Sequence, residues 1–280
     1  METKEIAMQK RTTMMGTACV LAAAALTSGP AAAGTLTDFA GVLTTSYGND
    51  DLSIADDSLN SWLIGGSAAG PLSDLANLNF QVDAAYRHNW RDHASREDWN
   101  FGGSAFWASM DGRIGVNLAY SNYNELGHLT NGGAFAEWYF GNITVMGKGG
   151  WLSSGGASFG GHGNYLGAGV AGYFIPDLAI TGGVQWADIV TGRGCQVCGR
   201  GDLRATAWSA DVEYLFIEDL GISAYGGYTY QDNKFINIES HDNIWRVGVR
   251  WYMGGGSLVD HHRNGNLNPW LPGIGADLTF

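Results

Sequence analysis

The chain has 280 residues, of which 43 are glycine, 5 are proline and 15% are charged, and its formal net charge is -12. The acidic balance and the lack of a basic stripe exclude nucleic acid as a partner, because phosphate binding needs clustered Lys and Arg. Beyond the N-terminal region no apolar run of about eighteen residues occurs, so the sequence offers no candidate transmembrane helix.

The first 33 residues have the features of a secretory signal peptide. Lys10 and Arg11 precede an apolar stretch, and Ala31 to Ala33 supply the small residues that a signal peptidase needs. Segment 1–33 is therefore predicted to direct Sec-type export and to be cut before Gly34. Cys19 lies inside the apolar stretch and not after a lipobox, which disfavours a lipoprotein.

From residue 38 to residue 253 apolar and polar residues alternate in about a dozen stretches, the period of an extended strand. In 77–87, for example, Phe80 and Val82 fall on one face, and Asn79 and Gln81 on the other. The connections alternate between long and tight. The pattern predicts strands at about 38–47, 60–70, 76–87, 99–110, 113–123, 132–140, 143–152, 165–174, 178–188, 204–217, 221–231 and 244–253.

Turn lengths support this assignment through the parity of the apolar face. The apolar, outward residues have odd numbers in the fourth strand and even numbers in the fifth. Two residues that face each other across this hairpin therefore have numbers with an odd sum, which requires a turn with an even number of residues. Asp111-Gly112 is such a turn. Gly141-Asn142 does the same for strands six and seven. The outward residues of strands eight and nine all have even numbers, which requires a connection with an odd number of residues, and 175–177 has three. A slip by one residue would place the polar set in lipid.

The segments 137–151 (E-W-Y-F-G-N-I-T-V-M-G-K-G-G-W) and 245–253 (W-R-V-G-V-R-W-Y-M), with C-terminal Phe280, resemble the small porin-like outer-membrane β-barrel proteins of Gram-negative bacteria. The resemblance implies an all-β, transmembrane up-and-down antiparallel barrel over 34–253, with long outer loops and short periplasmic turns. It also implies outer-membrane lipid and lipopolysaccharide as surroundings, and insertion by the barrel-assembly machinery. Aromatic residues near both ends of the strands fit two interfacial girdles. A soluble sandwich with an aromatic core is the alternative.

Charged residues on the polar faces carry the functional prediction. A lipid-facing Arg or Lys near the midplane costs about 2–4 kcal/mol, so these residues are expected to face the bore. Glu137 is predicted to pair with Met146 and to reach Lys148 diagonally. The polar-face charges are Asp83, Arg87, Arg113, Glu137, Lys148, Asp211, Glu213, Arg246 and Arg250.

The sequence thus predicts a narrow channel for passive passage of small hydrophilic solutes, with no cofactor. Its lining combines these charges with Gly, Ala and Ser. Asp83, Arg87, Asp211, Glu213, Arg246 and Arg250 are expected to tune selectivity. The alternative is a structural or adhesive barrel in which the charges neutralise one another.

Other motifs add no chemistry. Cys195 and Cys198 in G-R-G-C-Q-V-C-G-R-G are expected to form a disulfide that closes an outer loop, with no metal site. Asp50-Asp51 and Asp56-Asp57 in the first loop either bind calcium or bridge to lipopolysaccharide, or are simply solvated. Ser240-His241 is the only adjacent Ser-His pair that an outer-membrane lipid hydrolase could use, and it lacks an oxyanion partner, so no enzyme is predicted.

The last segment, 254–280, follows the twelfth strand. Its alternating Ile274, Ala276, Leu278 and Phe280 allow an extra strand, and a plug or a periplasmic tail are the other possibilities. A mostly irregular periplasmic tail with solvated His261 and His262 is expected.

Overall fold

The computed structural model describes residues 39–52, 57–72, 77–91, 94–123, 127–155, 161–191, 202–235, 238–253 and 256–264. Twelve antiparallel strands follow one another around a closed barrel, in which the first pairs with the last. The predicted up-and-down barrel is confirmed. The strands are β1 Ala40–Leu52, β2 Asp57–Pro71, β3 Leu78–Arg91, β4 Ala94–Ser109, β5 Gly112–Tyr123, β6 Gly127–Phe140, β7 Ile143–Gly155, β8 Gly161–Ile175, β9 Leu178–Thr191, β10 Asp202–Ile217, β11 Ile222–Phe235 and β12 Ile238–Met253.

The alternation of the sequence separates an apolar outer face from a polar inner face. On β3 the outward Val82 is 44% exposed, whereas its inward neighbour Gln81 is 5% exposed. On β5 the outward Ile114 and Leu118 are 58% and 57% exposed, and the inward Arg113 is 2% exposed. Apolar residues lie outside and polar residues inside, the reverse of a water-soluble protein, as a barrel surrounded by hydrocarbon requires.

The outward aromatic residues collect toward the two ends of the strands. Trp62, Trp186 and Trp245 are exposed at the end where the predicted long loops lie, which we call the loop end. Trp138 and Trp251 are exposed at the opposite end, which we call the turn end. Amphipathic rings favour the two membrane interfaces, so both predicted girdles are present.

The register follows the predicted parity, with one displaced turn. Phe140 faces Ile143, so Gly141-Asn142 is the turn as predicted. Ser109 faces Gly112, so the β4–β5 turn is Met110-Asp111 and not Asp111-Gly112. The Ser109 hydroxyl accepts from the Asp111 N–H at 3.2 Å and donates to the Gly112 carbonyl at 3.1 Å, which closes the turn at this position. The predicted β4–β5 pairing is therefore shifted by two residues from the observed one. Because side chains alternate with a period of two, every side chain keeps its predicted face.

A β-bulge accompanies each of the two connections that were predicted to have three residues. The β8–β9 ladder is shifted between Tyr173 and Ile175, and the β10–β11 ladder between Leu215 and Ile217. After the second bulge a 3-10 helix, Glu218–Leu220, ends at Gly221, whose φ of 63° suits a residue without Cβ.

Several loops predicted to be long are instead extensions of the strands. Residues 88–98 were predicted as one loop, yet β3 continues to Arg91 and β4 begins at Ala94. The polar side chains there pair across the ladder: Asn89 Nδ2 donates to Asp98 Oδ2 at 2.7 Å. Such pairs satisfy the inward polar groups, so the hairpin continues past the apolar belt.

The described part of the tail is a short helix inside the barrel. Helix α1, Leu258–Asn264, lies in the bore at the turn end. The Ser257 hydroxyl donates to Asp260 Oδ2 at 2.6 Å and accepts from the Asp260 N–H at 3.3 Å, a cap of the helix N-terminus. The expectation of an irregular periplasmic segment is therefore wrong for these residues. Segments 1–38 and 265–280 lie outside the described residues, as does the predicted signal peptide. Within the described ranges, no helix is long and apolar enough to cross a membrane.

Candidate functional site: the bore and its C-terminal helix

All nine charged residues predicted to face the bore lie on its inner face, but in different surroundings. Asp83, Arg87, Asp211, Arg246 and Arg250 are partly exposed. The other four, Arg113, Glu137, Lys148 and Glu213, are 2%, 1%, 7% and 4% exposed. The first group therefore meets the interior space of the barrel more than the second.

The middle of the bore combines charges with small residues. Asp211 faces Gly227, which in turn faces Arg246 on the next strand. A Cβ atom at Gly227 would overlap the Asp211 carboxylate, so this carboxylate extends over the glycine toward β12. Arg246 Nη2 donates to Thr229 Oγ1 at 3.0 Å, which fixes the guanidinium on the wall. Gly227 thus creates the space for an acidic and a basic group on either side of it.

Asp83 lies on the inner face of β3, four strands away from Gly227 around the barrel. Gln81 Nε2 donates to Asp83 Oδ1 at 2.7 Å. Its strand neighbours across the ladders are Ser67 and Gly102, both small and partly exposed. The carboxylate therefore lies on a wall with little side-chain bulk around it.

Toward the turn end, Glu213 is the centre of a buried polar cluster. The guanidinium of Arg250 forms an ion pair with it through Nη1. The hydroxyls of Ser223 and Tyr252 donate to its Oε1 at 2.5 and 2.8 Å. Arg250 also lies over the Tyr225 ring at 4.0 Å from the centroid. Three groups from two strands thus hold one carboxylate.

Glu137 faces Met146, as predicted, which places Lys148 diagonal to it, and a second cation faces it from the other side. Arg113 faces it from β5, with Nε 3.9 Å from Glu137 Oε2, and both side chains are almost fully buried. Lys148 faces Phe135. The sequence prediction considered only the β6–β7 hairpin and so missed the pairing with Arg113, which the β5–β6 register places opposite Glu137.

Arg113 also binds the end of helix α1. Its Nη2 donates to the His262 carbonyl at 2.7 Å and its Nε to the Arg263 carbonyl at 3.1 Å. The last carbonyls of a helix have no partner within the helix. Arg113 therefore caps the C-terminus of α1 from the barrel wall.

The two histidines of α1 are buried among tyrosines. The Tyr173 hydroxyl is 3.1 Å from His262 Nδ1, and the Tyr252 hydroxyl is 3.0 Å from His262 Nε2. His262 Nε2 is also 3.4 Å from Glu213 Oε2. His261 stacks on Tyr252 with 4.6 Å between ring centroids. Burial, aided by the nearby His262, lowers the pKa of His261 to about 4.

The expectation that these histidines are solvated is thus wrong. A sign was present in the sequence, because Tyr139, Tyr173 and Tyr252 all occupy polar-face positions at the turn end. Large rings that point into a bore need partners with both apolar and polar atoms. His262 of helix α1 supplies them for Tyr173 and Tyr252.

At the loop end the inner face carries a second set of charges. Arg96 Nε is 3.0 Å from Asp98 Oδ1. Asp50 and Asp242 are 5% and 4% exposed and lie on paired strands two residues apart in register. Asp51 is exposed on the other face of β1. Asp50 and Asp51, which were expected in a loop, therefore lie in a strand, with Asp50 inside the barrel and Asp51 outside. Among the described residues, no group of three His, Cys, Asp or Glu side chains is arranged to hold a metal.

Two further predicted motifs need comment. Ser240 is buried on the inner face of β12, whereas His241 is exposed on the outer face, beside Tyr230 and Asp232. Their side chains point away from each other, so they cannot form a nucleophile and base. Cys195 and Cys198 lie outside the described residues.

Known structures share the fold. The COG4313 outer membrane channel from Pseudomonas putida F1 is similar to this chain with a TM-score of 0.53 and 13% identity, over 79% of this chain and 96% of that one. The NanC porin is similar with a TM-score of 0.52 and 11% identity, over 75% and 98% of the two chains. No protein-family model and no curated protein matches the sequence. The chain therefore has the fold of small outer-membrane β-barrels, as its alternating pattern indicates.

Proposed function

We propose that this protein is an outer-membrane channel through which small hydrophilic solutes pass down their own gradients. The observation that carries the proposal is the charged middle of the bore, where Asp83, Asp211 and Arg246 are partly exposed between small residues. Gly227 leaves room for the Asp211 carboxylate inside the bore. Small, charged and partly hydrated walls filter solutes by size and sign.

Asp83, Asp211 and Arg246 have different roles in the proposed channel. Asp211 and Arg246 flank Gly227 and present both signs to a passing solute, and Asp83 adds a negative charge on β3. Arg87 contributes a positive charge nearer the loop end. Glu137, Lys148, Glu213 and Arg250 are buried or paired near the turn end, and we assign them to the structure of that end more than to selectivity.

The outer surface supports the proposed location. Exposed apolar residues cover the middle of the strands, and exposed aromatic residues lie near both ends. Bacterial outer-membrane barrels have this surface, with lipid on the belt and lipopolysaccharide at the outer girdle. We therefore place the protein in the outer membrane after export, with insertion by the barrel-assembly machinery.

A structural barrel without transport is the second candidate. It is favoured by helix α1, which occupies the bore at the turn end, and by the ion pairs that neutralise charges there. It predicts no conductance in any form of the protein. A lipid hydrolase has less support, because Ser240 and His241 lie on opposite faces of β12.

Planar-bilayer recording tests the proposal. We expect discrete conductance steps, and a several-fold shift of the permeability ratio toward cations for Arg246→Glu. The matched control is Arg204→Glu, which makes the same charge change on the outer face, where the Arg204 side chain is 61% exposed. An equal shift in both variants would mean that Arg246 does not line the conducting path. Silence of the wild type and of Leu258→Asp, in which helix α1 is displaced, would overturn the channel.

A further inference from the structure

We propose that helix α1 is a built-in plug: it holds the turn end of the bore closed, and the channel opens when the segment 256–264 leaves the bore and unfolds. This inference rests on the proposed channel function. Three features carry it, namely the position of the helix across the bore, the burial of its apolar side chain, and the capping of both its ends by the barrel wall.

The helix spans the bore from one wall to the other. Arg113 on β5 binds its C-terminal carbonyls, and Tyr252 on β12 contacts both of its histidines. These two strands are five positions apart around the barrel in one direction and seven in the other, so they face each other. Arg263 reaches β7 as well, where its Nε donates to Thr144 Oγ1 at 3.2 Å. A segment tied to opposite walls lies across the opening.

The helix also has the size to close it. A barrel of twelve strands has a backbone diameter of about 24 Å, from strands about 4.8 Å apart and tilted by about 40°. Inward side chains reduce the free bore to the order of 10 Å. An α-helix with its side chains is about 10–12 Å wide, so one helix fills the cross-section.

Apolar packing fixes the helix against the wall. Leu258 has no exposed surface and packs in a cluster with Met146, Leu215 and Tyr173, which belong to three different strands. Val259 packs against the same cluster. Leu258 thus completes an apolar cluster on the inner wall at the turn end, and burying it there stabilises the docked helix.

Both ends of the helix depend on the barrel for their hydrogen bonds. At the N-terminus the Val259 N–H donates to the Pro176 carbonyl at 3.1 Å, and the Leu258 N–H points to Asp177 Oδ1 at 3.4 Å. At the C-terminus Arg113 takes the carbonyls of His262 and Arg263. A helix of seven residues is not stable alone in water. Leaving the wall therefore also unfolds the helix, so docking and folding are one two-state event.

The docked state can be tested by thiol accessibility in the full chain, independently of conductance. With Cys195 and Cys198 replaced by serine, Leu258→Cys should react with a small maleimide at least about tenfold more slowly than Leu220→Cys, because only a locally opened state exposes it. Leu220 lies at the same end of the barrel and is 57% exposed. Equal labelling rates would show that the helix is not docked and would overturn the proposal.

The closing function is tested by conductance. Leu258→Asp places a carboxylate in the apolar cluster and should displace the helix, giving a several-fold larger mean conductance than wild type in planar bilayers. Leu220→Asp, the same substitution at an exposed site of the turn end, should behave as wild type. Equal conductance of Leu258→Asp and wild type would contradict the proposed plug but not the proposed channel. If neither protein conducts, both the channel and the plug are contradicted.

Discussion

Arg113 Nη2 donates a hydrogen bond to the backbone carbonyl of His262 at 2.7 Å, a contact between residues 149 positions apart in the chain. The same guanidinium lies beside the buried Glu137. One arginine on the wall thus both neutralises a carboxylate and caps the helix that enters the bore. This links the electrostatics of the wall to the position of the tail.

Substitutions of Arg113 should separate its two roles. Arg113→Lys keeps a positive charge near Glu137 but loses the planar guanidinium that binds two carbonyls at once. We expect labelling of the Leu258→Cys reporter to become several-fold faster, with the thermal stability of the barrel little changed. Arg113→Met removes the charge as well and leaves Glu137 buried without this cation, which costs about 3–5 kcal/mol. If Arg113→Lys labels as slowly as the parent, its bonds to the helix contribute nothing to docking.

Glu213 should be a main contributor to the stability of the turn end. Glu213→Gln leaves Arg250 without its carboxylate partner in a largely buried site, and breaking such a pair costs about 3–5 kcal/mol. We expect a lower midpoint of urea unfolding in lipid vesicles. The double variant Glu213→Met with Arg250→Met removes both charges and should recover much of the loss. A single variant as stable as wild type would contradict the ion pair.

Gly227 is predicted to control ion preference through Asp211. Gly227→Ala places a methyl group where the carboxylate lies, so the carboxylate must turn away from β12. The permeability ratio should move in the same direction as in Asp211→Asn. Gly182→Ala is the control, because this outward glycine has no atom nearer to an added Cβ than the Ser209 carbonyl oxygen at 3.8 Å. Equal ratios in Gly227→Ala and Gly182→Ala would contradict the assignment.

Docking of the helix should weaken in acid because of His261. Burial, with the nearby His262, lowers its pKa from 6.5 to about 4, while Asp260, Glu213 and Asp177 act in the opposite direction. Below pH 6.5 the undocked imidazole gains a proton that the docked one does not take up until about pH 4. The docking equilibrium should therefore fall by up to about tenfold per pH unit between these values.

The measurement is the labelling rate of Leu258→Cys divided by that of Leu220→Cys, which cancels the pH dependence of the thiol. The ratio should rise as the pH falls from 6.5 toward 4. His261→Phe keeps the stacking on Tyr252 and should remove most of this rise. A ratio that does not change with pH would exclude His261 as the cause.

The barrel was predictable because alternation is a local property of each strand. Val82 is apolar and lies outside, and Gln81 is polar and lies inside, so each residue type indicates its face. Whether a turn has an odd or an even number of residues then sets which residues of the next strand face outward. The turn predicted at Asp111-Gly112 was displaced, yet every side chain was assigned to its correct face. The bore was less predictable. The pairing of Arg113 with Glu137 depends on the β5–β6 register, and the sequence predicted a long loop over 124–131 there, whereas the ladder continues to Tyr123 and Gly127.

The plug was the least predictable part. Its contacts join Arg113 to His262 and Tyr173 to His262, pairs that only the closed barrel brings together. A seven-residue helix has too weak a periodic pattern to be read from sequence. The cap formed by Ser257 and Asp260 is local in sequence, but it does not by itself predict a helix.

Liposome swelling tests most directly whether solutes pass through a bore that helix α1 closes. Vesicles that contain Leu258→Asp, placed in isosmotic solutions of neutral sugars and amino acids, should swell faster than vesicles with wild type or Leu220→Asp, and the rate should fall as the solute grows. Swelling of Leu258→Asp vesicles no faster than that of protein-free vesicles would contradict the account.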